Sequence, residues 1–305
     1  MAVIGKTNAL TAASSGGLDT VAVQLIARTI SSGTTSAFTS IGSYVFASYY
    51  MLQSINLTSC STIGYYAFNY CYSLTTALFQ DCTHIEAYAF RSCIKLSNIS
   101  FPNVTSIGYY AFQSCRSLTV VDFPKIRGNV LGSNIFYGCS NLESAFFSSA
   151  TILGSSMFYG CSKLSDVRIP NCTDIQQNAF YFCSGLQTIS IPNVRTIGKY
   201  AFYSCKSLTQ IFGPSVSSLT TSCFYNCSNL STASFPRCSS IQSWALAYCS
   251  KLLSLYLTSS KVCTLAATNA LTGTTSCIIY VPTSLLTSYK AATNWTTYSS
   301  RIVGI

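Results

Sequence analysis

The single histidine, His84, is the side chain best suited to acid–base or metal chemistry near neutral pH. It follows Cys82 by two residues, and a thiol beside an imidazole is the arrangement of a cysteine nucleophile; Cys60 is a second candidate thiol. Such a nucleophile also needs a group that orients the imidazole and donors for the oxyanion. The alternative, which we favour, is a solvated histidine in the turn after a strand. The sequence therefore predicts no catalytic residues and no enzyme.

Metal and carboxylate sites are not indicated either. Structural zinc needs about four converging ligands, typically in C-x-x-C pairs, and the chain contains no C-x-x-C. A glycosidase needs two facing carboxylates. The acidic residues instead fall in different registers of the repeat described below: Asp122, Glu143, Asp166 and Asp174. We therefore expect no metal site and no cofactor.

Most of the sixteen cysteines recur at fixed positions. Nine share one register: Cys71, Cys93, Cys115, Cys139, Cys161, Cys183, Cys205, Cys227 and Cys249. Four share a second register that Val104, Val194 and Val216 fill elsewhere: Cys60, Cys82, Cys172 and Cys238. Exchange with valine indicates a small buried hydrophobe. We predict free, buried thiols, which suit a reducing cytoplasm or an anaerobic habitat, with disulfides between neighbouring coils as the alternative.

A repeat of 22 residues organises the chain. Its anchor is a phenylalanine, replaced once by leucine, and the spacing is 22 residues except for 24 between Phe112 and Phe136: Phe46, Phe68, Phe90, Phe112, Phe136, Phe158, Phe180, Phe202, Phe224 and Leu246. A leucine follows each anchor by six residues, and then L-x-x-I-x-F ends in the period-2 alternation of a half-buried strand. Proline often follows that strand and ends its pairing.

These patterns predict a solenoid in which each repeat is one coil with one short parallel strand. We expect about ten coils in a single continuous domain, with an N-terminal cap at 1–36, the repeat array at 37–260 and a C-terminal cap at 261–305. Within the caps, residues 18–30 are predicted to form a short helix and a strand. Residues 278–281 are predicted to form a closing strand, and residues 282–301 a short helical cap in which Trp295 covers the last layer.

The copies ISFPNVTSIGYYAFQSCRSL (99–118) and ISIPNVRTIGKYAFYSCKSL (189–208) resemble the BspA-like class of bacterial leucine-rich repeats, over about residues 38–260. The resemblance implies an α/β-type repeat solenoid, a leucine-rich-repeat right-handed superhelix. It also implies a surface-exposed or adhesion-type protein, often of gut bacteria, that binds matrix proteins, other cells or host factors. Related proteins also occur beside phage genes. The family has no catalytic residue to carry over.

The net charge of +10 comes from 17 basic and 7 acidic residues, and the basic residues are scattered singly. We therefore expect no nucleic-acid partner. No apolar stretch reaches the length of a membrane span, so we expect no membrane insertion. The first seventeen residues lack the apolar stretch of a secretory signal, which leaves a cytoplasmic or virion-associated location beside the extracellular one that the resemblance implies.

Two candidate surfaces follow from the register. The outward strand positions include Asp122, Phe146, Arg168, Phe212 and Tyr256, of which the aromatic residues are the first candidates for partner contacts and the charged pair marks a possible polar site. Tyrosines form a second surface, two residues before the anchor in early copies and one after it in later copies; its candidate residues are Tyr66, Tyr88, Tyr110, Tyr159, Tyr181 and Tyr203. The alternative is that these rings only stack to shield the coil edges.

The sequence thus favours a non-catalytic binding or adhesion module whose partner is a host or matrix protein or a glycan. The alternative is a structural component that assembles with itself or within a phage particle. The tyrosine-rich surface with its low density of charges suits either role. Information about function should lie where the columns change, including the break at residues 126–132.

Overall fold

The computed structural model describes residues 3–4, 9–11, 38–126 and 131–305. It divides into two compact units, Met1–Ala150 and Thr151–Ile305. The predicted helix and strand at 18–30 lie outside the described residues, as do residues 127–130 of the 24-residue copy. Within each unit the chain forms coils whose strands pair in parallel from one coil to the next, as the repeat predicts.

The strands of the first unit alternate between two- and three-residue segments. They are β1 (Val3–Ile4), β2 (Ala9–Thr11), β3 (Ser40–Ile41), β4 (Ser54–Asn56), β5 (Thr62–Ile63), β6 (Thr76–Leu78), β7 (His84–Ile85), β8 (Asn98–Ser100), β9 (Ser106–Ile107), β10 (Val120–Asp122) and β11 (Ser144–Phe146). The order β1-β2-β3-β5-β7-β9 forms one sheet, antiparallel only between β1 and β2. The predicted strands form a second series, in which β4-β6-β8 pair together and β10 pairs with β11.

The second unit repeats this plan and ends in helical segments. Its strands are β12 (Ile152–Leu153), β13 (Asp166–Arg168), β14 (Asp174–Ile175), β15 (Thr196–Ile197), β16 (Gln210–Phe212), β17 (Ser218–Leu219), β18 (Thr232–Ser234), β19 (Ser240–Ile241), β20 (Ser254–Tyr256), β21 (Thr264–Leu265), β22 (Ile278–Val281) and β23 (Ile302–Gly304). The orders β12-β14-β15-β17-β19-β21 and β16-β18-β20-β22-β23 form two parallel sheets.

The two-residue strands refine the prediction of one strand per coil. In Thr62–Ile63 and its equivalents the isoleucine or leucine is buried while the residue before it is at least partly exposed. The motif I-G-x-x-x-F therefore begins with a strand of its own on a different side of the coil. Two residues are too few for a period-2 pattern, which is why the sequence did not indicate this series.

Stacked apolar columns fill the coils. In the second unit the rings of Phe158, Phe180, Phe202 and Phe224 are fully buried and stack at 5.4, 5.0 and 5.1 Å between centroids. In the first unit a second buried phenylalanine column, Phe79, Phe101, Phe123 and Phe147, packs against the anchor column, with edge-on contacts such as Phe90 to Phe101 at 5.7 Å. Since every coil contacts its neighbours through these columns, each layer is stabilised by the next.

The C-terminal end is closed as predicted, with one addition. Strand β22 occupies 278–281, and the following segment contains 3-10 helices at Thr283–Leu285 and Trp295–Arg301 around helix α1 (Leu286–Ala291). Trp295 is fully buried and its indole N–H donates to the carbonyl of Cys263 at 2.7 Å. Strand β23 then adds one more strand beside β22, so 278–281 does not end the sheet.

In the copies that carry it, the glycine of I-G-x-x-x-F lies where neighbouring coils approach closely, although Glu86, Gln176, Thr220 and Gln242 fill the same register elsewhere. A Cβ on Gly198 would lie 2.5 Å from the backbone nitrogen of Gln177 in the preceding coil. We expect Gly198→Ala to lower the free energy of unfolding by about 1–3 kcal/mol, because the backbone must shift. Gln242→Ala is the matched control, since that register position already carries a Cβ. Urea unfolding measures both, and equal stabilities for the two variants would contradict the close approach.

Candidate functional site

Each described coil from Tyr44 to Tyr248 turns through two residues of left-handed backbone, placed two before and two after the anchor. The first position has φ between 53° and 61° and contains Tyr44, Tyr66, Tyr88, Tyr110, Asn134, Ser156, Asn178, Tyr200, Ser222 and Trp244. The second contains Ser48, Tyr70, Ser92, Ser114, Gly138, Gly160, Phe182, Ser204, Asn226 and Tyr248. This geometry suits glycine and asparagine, and it is unfavourable for aromatic residues.

The first tyrosine ladder consists of Tyr44, Tyr66, Tyr88 and Tyr110. Successive rings are nearly parallel, with centroids 4.9, 4.6 and 5.1 Å apart. All four residues have left-handed backbone, a cost of order 1 kcal/mol each that is similar in size to the gain from stacking a ring. The ladder is therefore not explained as a net stabiliser of the coil.

Arg91 places a positive charge against the first tyrosine ladder. Its guanidinium carbon lies 5.8 Å from the ring centroid of Tyr88 and 5.3 Å from that of Tyr70, within the range of cation–π attraction. Its Nε donates to the side-chain oxygen of Gln113 at 3.0 Å. The charge is therefore held in place beside the rings.

The second tyrosine ladder consists of Tyr159, Tyr181, Tyr203 and Tyr225, one residue after the anchor. The centroids of its stacked rings lie 4.7, 4.6 and 4.7 Å apart. In three of these coils serine or asparagine fills the left-handed position before the anchor: Ser156, Asn178 and Ser222. The shift of the tyrosine column thus coincides with smaller polar residues at this left-handed position in three coils, while Tyr200 keeps an aromatic ring there in the fourth.

Further aromatic rings border the second tyrosine ladder. Phe182 is 45% exposed and meets Tyr181 edge-on at 4.7 Å. Trp244 and Tyr248, both with left-handed backbone, stack on each other and meet Tyr225 at an angle. Stacking hides ring faces but leaves ring edges and hydroxyls toward solvent. The result is a row of phenol groups with exposed aromatic rings beside it.

Three of the ladder phenols have raised pKa values. Partial burial and neighbouring phenols raise the pKa of Tyr66, Tyr181 and Tyr225. The negative charge of Glu86, which also forms a hydrogen bond with the hydroxyl, raises the pKa of Tyr65 beside the first ladder. Neutral hydroxyls both donate and accept hydrogen bonds, so the phenols offer polar contacts of both kinds.

The outward strand positions differ from one another in exposure. Phe212 is 60% exposed, whereas Phe146 is half-buried and Tyr256 is half-buried against Tyr280, with the ring centroids 4.7 Å apart. Of the three aromatic candidates, Phe212 offers most of its ring to solvent.

The charged strand candidates have separate surroundings. Asp122 lies beside Phe146 in the register of β10 and β11. Arg168 donates to both carboxylate oxygens of Asp166 in its own strand, at 3.0 and 3.3 Å. Asp122 belongs to the first unit and Arg168 to the second.

Clefts open where the three-residue strand series is interrupted. In the first unit β8 and β10 do not pair, and a cleft of about 300 Å³ between them is lined by residues that include Asn98, Ser100, Val120 and Asp122. In the second unit residues 188–190 form no strand, and a cleft of about 370 Å³ lies between this segment and Phe212. Sequence reasoning missed these openings.

His84 and Cys82 do not form a reactive pair. His84 is exposed and lies in β7 rather than in a turn, and its Nδ1 is 2.8 Å from the hydroxyl of Thr83. The buried thiol of Cys82 donates to the backbone carbonyl of His84, not to its ring, and burial raises the pKa of that thiol to about 12. A neutral, inaccessible thiol is a poor nucleophile.

The nine-residue cysteine column has a structural role that its regular spacing did not indicate. Thiols of this column donate to the carbonyl of an anchor in the preceding coil; Cys93 to Phe68, Cys183 to Phe158 and Cys205 to Phe180 are examples, at 3.1 to 3.2 Å. All sixteen cysteines are free and buried. Cysteine here combines a small apolar volume with a weak donor.

Metal-binding clusters and membrane-spanning helices are two further kinds of functional feature. Among the described residues no group of three or more His, Cys, Asp or Glu side chains could hold a metal ion. In the same part of the chain, no helix has both the length and the apolar character to cross a membrane.

Comparison with known proteins identifies the repeat. The family model described as BspA type leucine rich repeat region matches residues 27–94, 61–187 and 173–292, with six copies. No curated protein matches. Among solved structures, a leucine rich repeat protein of T. pallidum is 25% identical, with 56% of this chain and 72% of that chain covered and a TM-score of 0.44.

Two further solved structures share the repeat. A leucine rich cell surface protein of Faecalibacterium prausnitzii A2-165 is 21% identical, covering 80% of this chain and 77% of its own, with a TM-score of 0.43. A leucine-rich repeat protein of Bacteroides ovatus ATCC 8483 is 23% identical, covering 88% and 82%, with a TM-score of 0.42. Because the family model spans most of the sequence, the chain belongs to the BspA-type leucine-rich-repeat family.

Proposed function

We propose that this chain is a non-catalytic recognition module that binds a protein or glycan partner through the two tyrosine ladders. Proteins of this repeat family are typically interaction or adhesion modules, and one similar solved structure is that of a cell surface protein. By the same likeness we place the function at a bacterial cell surface, with a host or matrix component as the partner.

The observation that carries the proposal is the left-handed backbone of the first ladder. Other coils fill the same position with Asn134 or Asn178, and asparagine tolerates that backbone more easily than tyrosine does. Four consecutive tyrosines at the costlier position favour a role outside folding, because unfavourable backbone conformations persist mainly where function requires them. Tyrosine also supplies contact area at low conformational cost, as binding surfaces do.

The test replaces each ladder with residues that the protein itself uses at those positions. In one variant Tyr66, Tyr88 and Tyr110 become Asn, as in Asn134 and Asn178; in the other Tyr159, Tyr181 and Tyr203 become Asn, as in Asn69. Labelled protein is applied to an array of matrix proteins and glycans, and affinities are measured for the strongest hits. We expect at least one variant to bind about 100-fold more weakly, because several aromatic contacts are removed.

Stability separates binding from folding in this experiment. We expect the Asn variant of the first ladder to unfold within about 2 kcal/mol of the wild type, since relief of the left-handed backbone offsets the lost stacking. Variants that are folded and bind every hit as well as the wild type would refute the role of the ladders. Light scattering on the same samples addresses the self-assembly alternative, which a stable monomer at working concentration would contradict.

A further inference from the structure

Phe212 stands between two depressions on the three-residue strand series. The first, of about 370 Å³, is lined by Thr188, Ile189, Ser190, Ile191, Pro192, Gln210 and Phe212. The second, of about 320 Å³, is lined by Gln210, Ile211, Phe212, Thr232, Ser234 and Tyr256. The ring of Phe212 therefore separates two adjoining clefts. It is exposed to solvent, whereas the preceding residue of the same strand, Ile211, points inward and is buried.

The larger cleft exists because two neighbouring coils separate there. Strand β16 pairs with β18 on one side, but in the described structure residues 188–190 on its other side are not paired with it. The coils remain joined just before the opening, where the N–H of Thr209 donates to the carbonyl of Gln187 at 3.0 Å. An opening fixed at one end in this way has no room for an added strand, which argues against a peptide bound by strand addition.

The residues that line the two clefts define the chemistry of a ligand. None of them carries a charge at neutral pH, so an ionic ligand would lose hydration without a compensating partner. Hydroxyl and amide groups of Thr188, Ser190, Gln210, Thr232 and Ser234 surround the ring. An apolar ring face bordered by uncharged hydrogen-bonding groups matches a pyranose, which has one C–H face and a rim of hydroxyls.

The cleft of the first unit shows what is particular about this site. It also lies at an interruption of the same strand series, but the ring in its lining, Phe101, is buried and Asp122 adds a carboxylate. It has neither an exposed stacking surface nor a neutral lining. The clefts at Phe212 have both an exposed ring for stacking and a neutral lining.

We propose that the two clefts at Phe212 form a binding site for a neutral oligosaccharide, with one pyranose ring stacked on Phe212 and neighbouring sugar units in the adjoining clefts. This proposal rests on the proposed recognition function and names the ligand class of a second surface. Gln210, which lines both clefts, hydrogen-bonds the sugar hydroxyls on either side of the ring.

The experiment titrates the full chain with maltohexaose, cellohexaose, laminarihexaose and mannohexaose, and with a heparin hexasaccharide as the charged probe, using calorimetry and ligand-observed NMR. We expect at least one neutral hexaose to bind and heparin not to compete with it. Phe212→Ala should weaken this binding by about tenfold or more, and Gln210→Leu by a smaller factor.

Leu253→Ala is the matched control, since Leu253 is 56% exposed in the same unit and lines neither cleft. We expect it to leave sugar affinity unchanged. The proposal is overturned if no neutral hexaose binds, if heparin displaces the bound sugar, or if Phe212→Ala binds like Leu253→Ala while remaining folded. The ladder variants retain Phe212, so protein binding that they abolish would uphold the recognition function even if the sugar site failed.

Discussion

Raising the pH above 9 is expected to unfold this protein in one cooperative transition. Burial raises the pKa of twelve thiols above the ordinary value of 9.0, to about 11 for Cys60 and Cys172 and about 12 for Cys71 and Cys139. The others are Cys82, Cys93, Cys115, Cys183, Cys205, Cys223, Cys227 and Cys277. These thiols stay protonated in the folded state while those of the unfolded chain ionise.

The direction of the effect follows from the raised pKa values. The stabilisation is complete below pH 9 and is lost as the pH rises from 9 toward the folded-state values. Each thiol lowers the free energy of unfolding by about 1 kcal/mol between pH 9 and 10, where the unfolded thiols are only partly ionised, and by about 1.4 kcal/mol per pH unit above that, so twelve together remove on the order of 10 kcal/mol between pH 9 and 10. That is as large as the whole stability of a typical domain.

Circular dichroism and thiolate absorbance, followed together from pH 8 to 11, measure this transition. The control is the double variant Cys60→Val and Cys82→Val, because Val104 and Val194 show that the register accepts valine. This double variant should reduce the pH dependence of the free energy of unfolding by about 2.7 kcal/mol per pH unit, which is the contribution of two thiols. The hydrogen bond with Cys263 lowers the pKa of Cys238, so that one thiol is expected to ionise before the transition. Further thiolates that appear while the coils remain folded would contradict the prediction.

The coil layers could be predicted from the sequence because each position repeats. Ten anchors in one register fix which side chains face inward, and the buried columns, the strand before Phe101 and the covered Trp295 follow from that register. Pairing in parallel follows as well, since identical coils can stack only in register. The stacking of tyrosine rings was one of two interpretations of their spacing, and the stacked arrangement is observed.

The surface could be predicted only in part, because it depends on backbone detail that periodicity does not encode. The left-handed positions could have been found from a mixed column: Asn134, Asn178 and Ser222 at the register of Tyr66 indicate a turn position with positive φ. The exposure of Phe212 compared with Phe146 depends on which neighbouring rings cover each one. The identity of a single residue does not indicate which neighbouring rings will cover it.

The openings in the three-residue strand series are indicated only weakly by the sequence. Among the repeats, strands pair where a small residue such as Ala77 or Ala233 lies at the centre of one of them. They separate where two β-branched residues are neighbours, as Ile189 and Ile211 are. In the two-residue strands, by contrast, the β-branched residues Ile63 and Ile85 are opposite each other and the strands still pair. The rule therefore does not apply to the two-residue series. It also does not extend to the C-terminal cap, where Ile279 and Ile302 are opposite each other in the paired strands β22 and β23.

Removing a single anchor ring should be the most damaging substitution in the array. Phe180 is fully buried, and its ring stacks on Phe158 at 5.4 Å and on Phe202 at 5.0 Å. Phe180→Ala creates a cavity between three coils, and we expect it to lower the free energy of unfolding by about 3–5 kcal/mol. Because coils are stabilised only by their neighbours, we also expect the denaturant transition to broaden as the coils on either side become less coupled.

Phe212→Ala is the control for Phe180→Ala, because it removes the same ring from a position that is 60% exposed. Its effect on stability should stay within about 0.5 kcal/mol, as for most exposed substitutions. Urea unfolding followed by circular dichroism measures both variants under the same conditions. A small loss for Phe180→Ala, or equal losses for the two, would mean that the stacked phenylalanine column does not hold the coils together. A large loss confined to Phe180→Ala would separate the column that builds the fold from the ring that is free to bind.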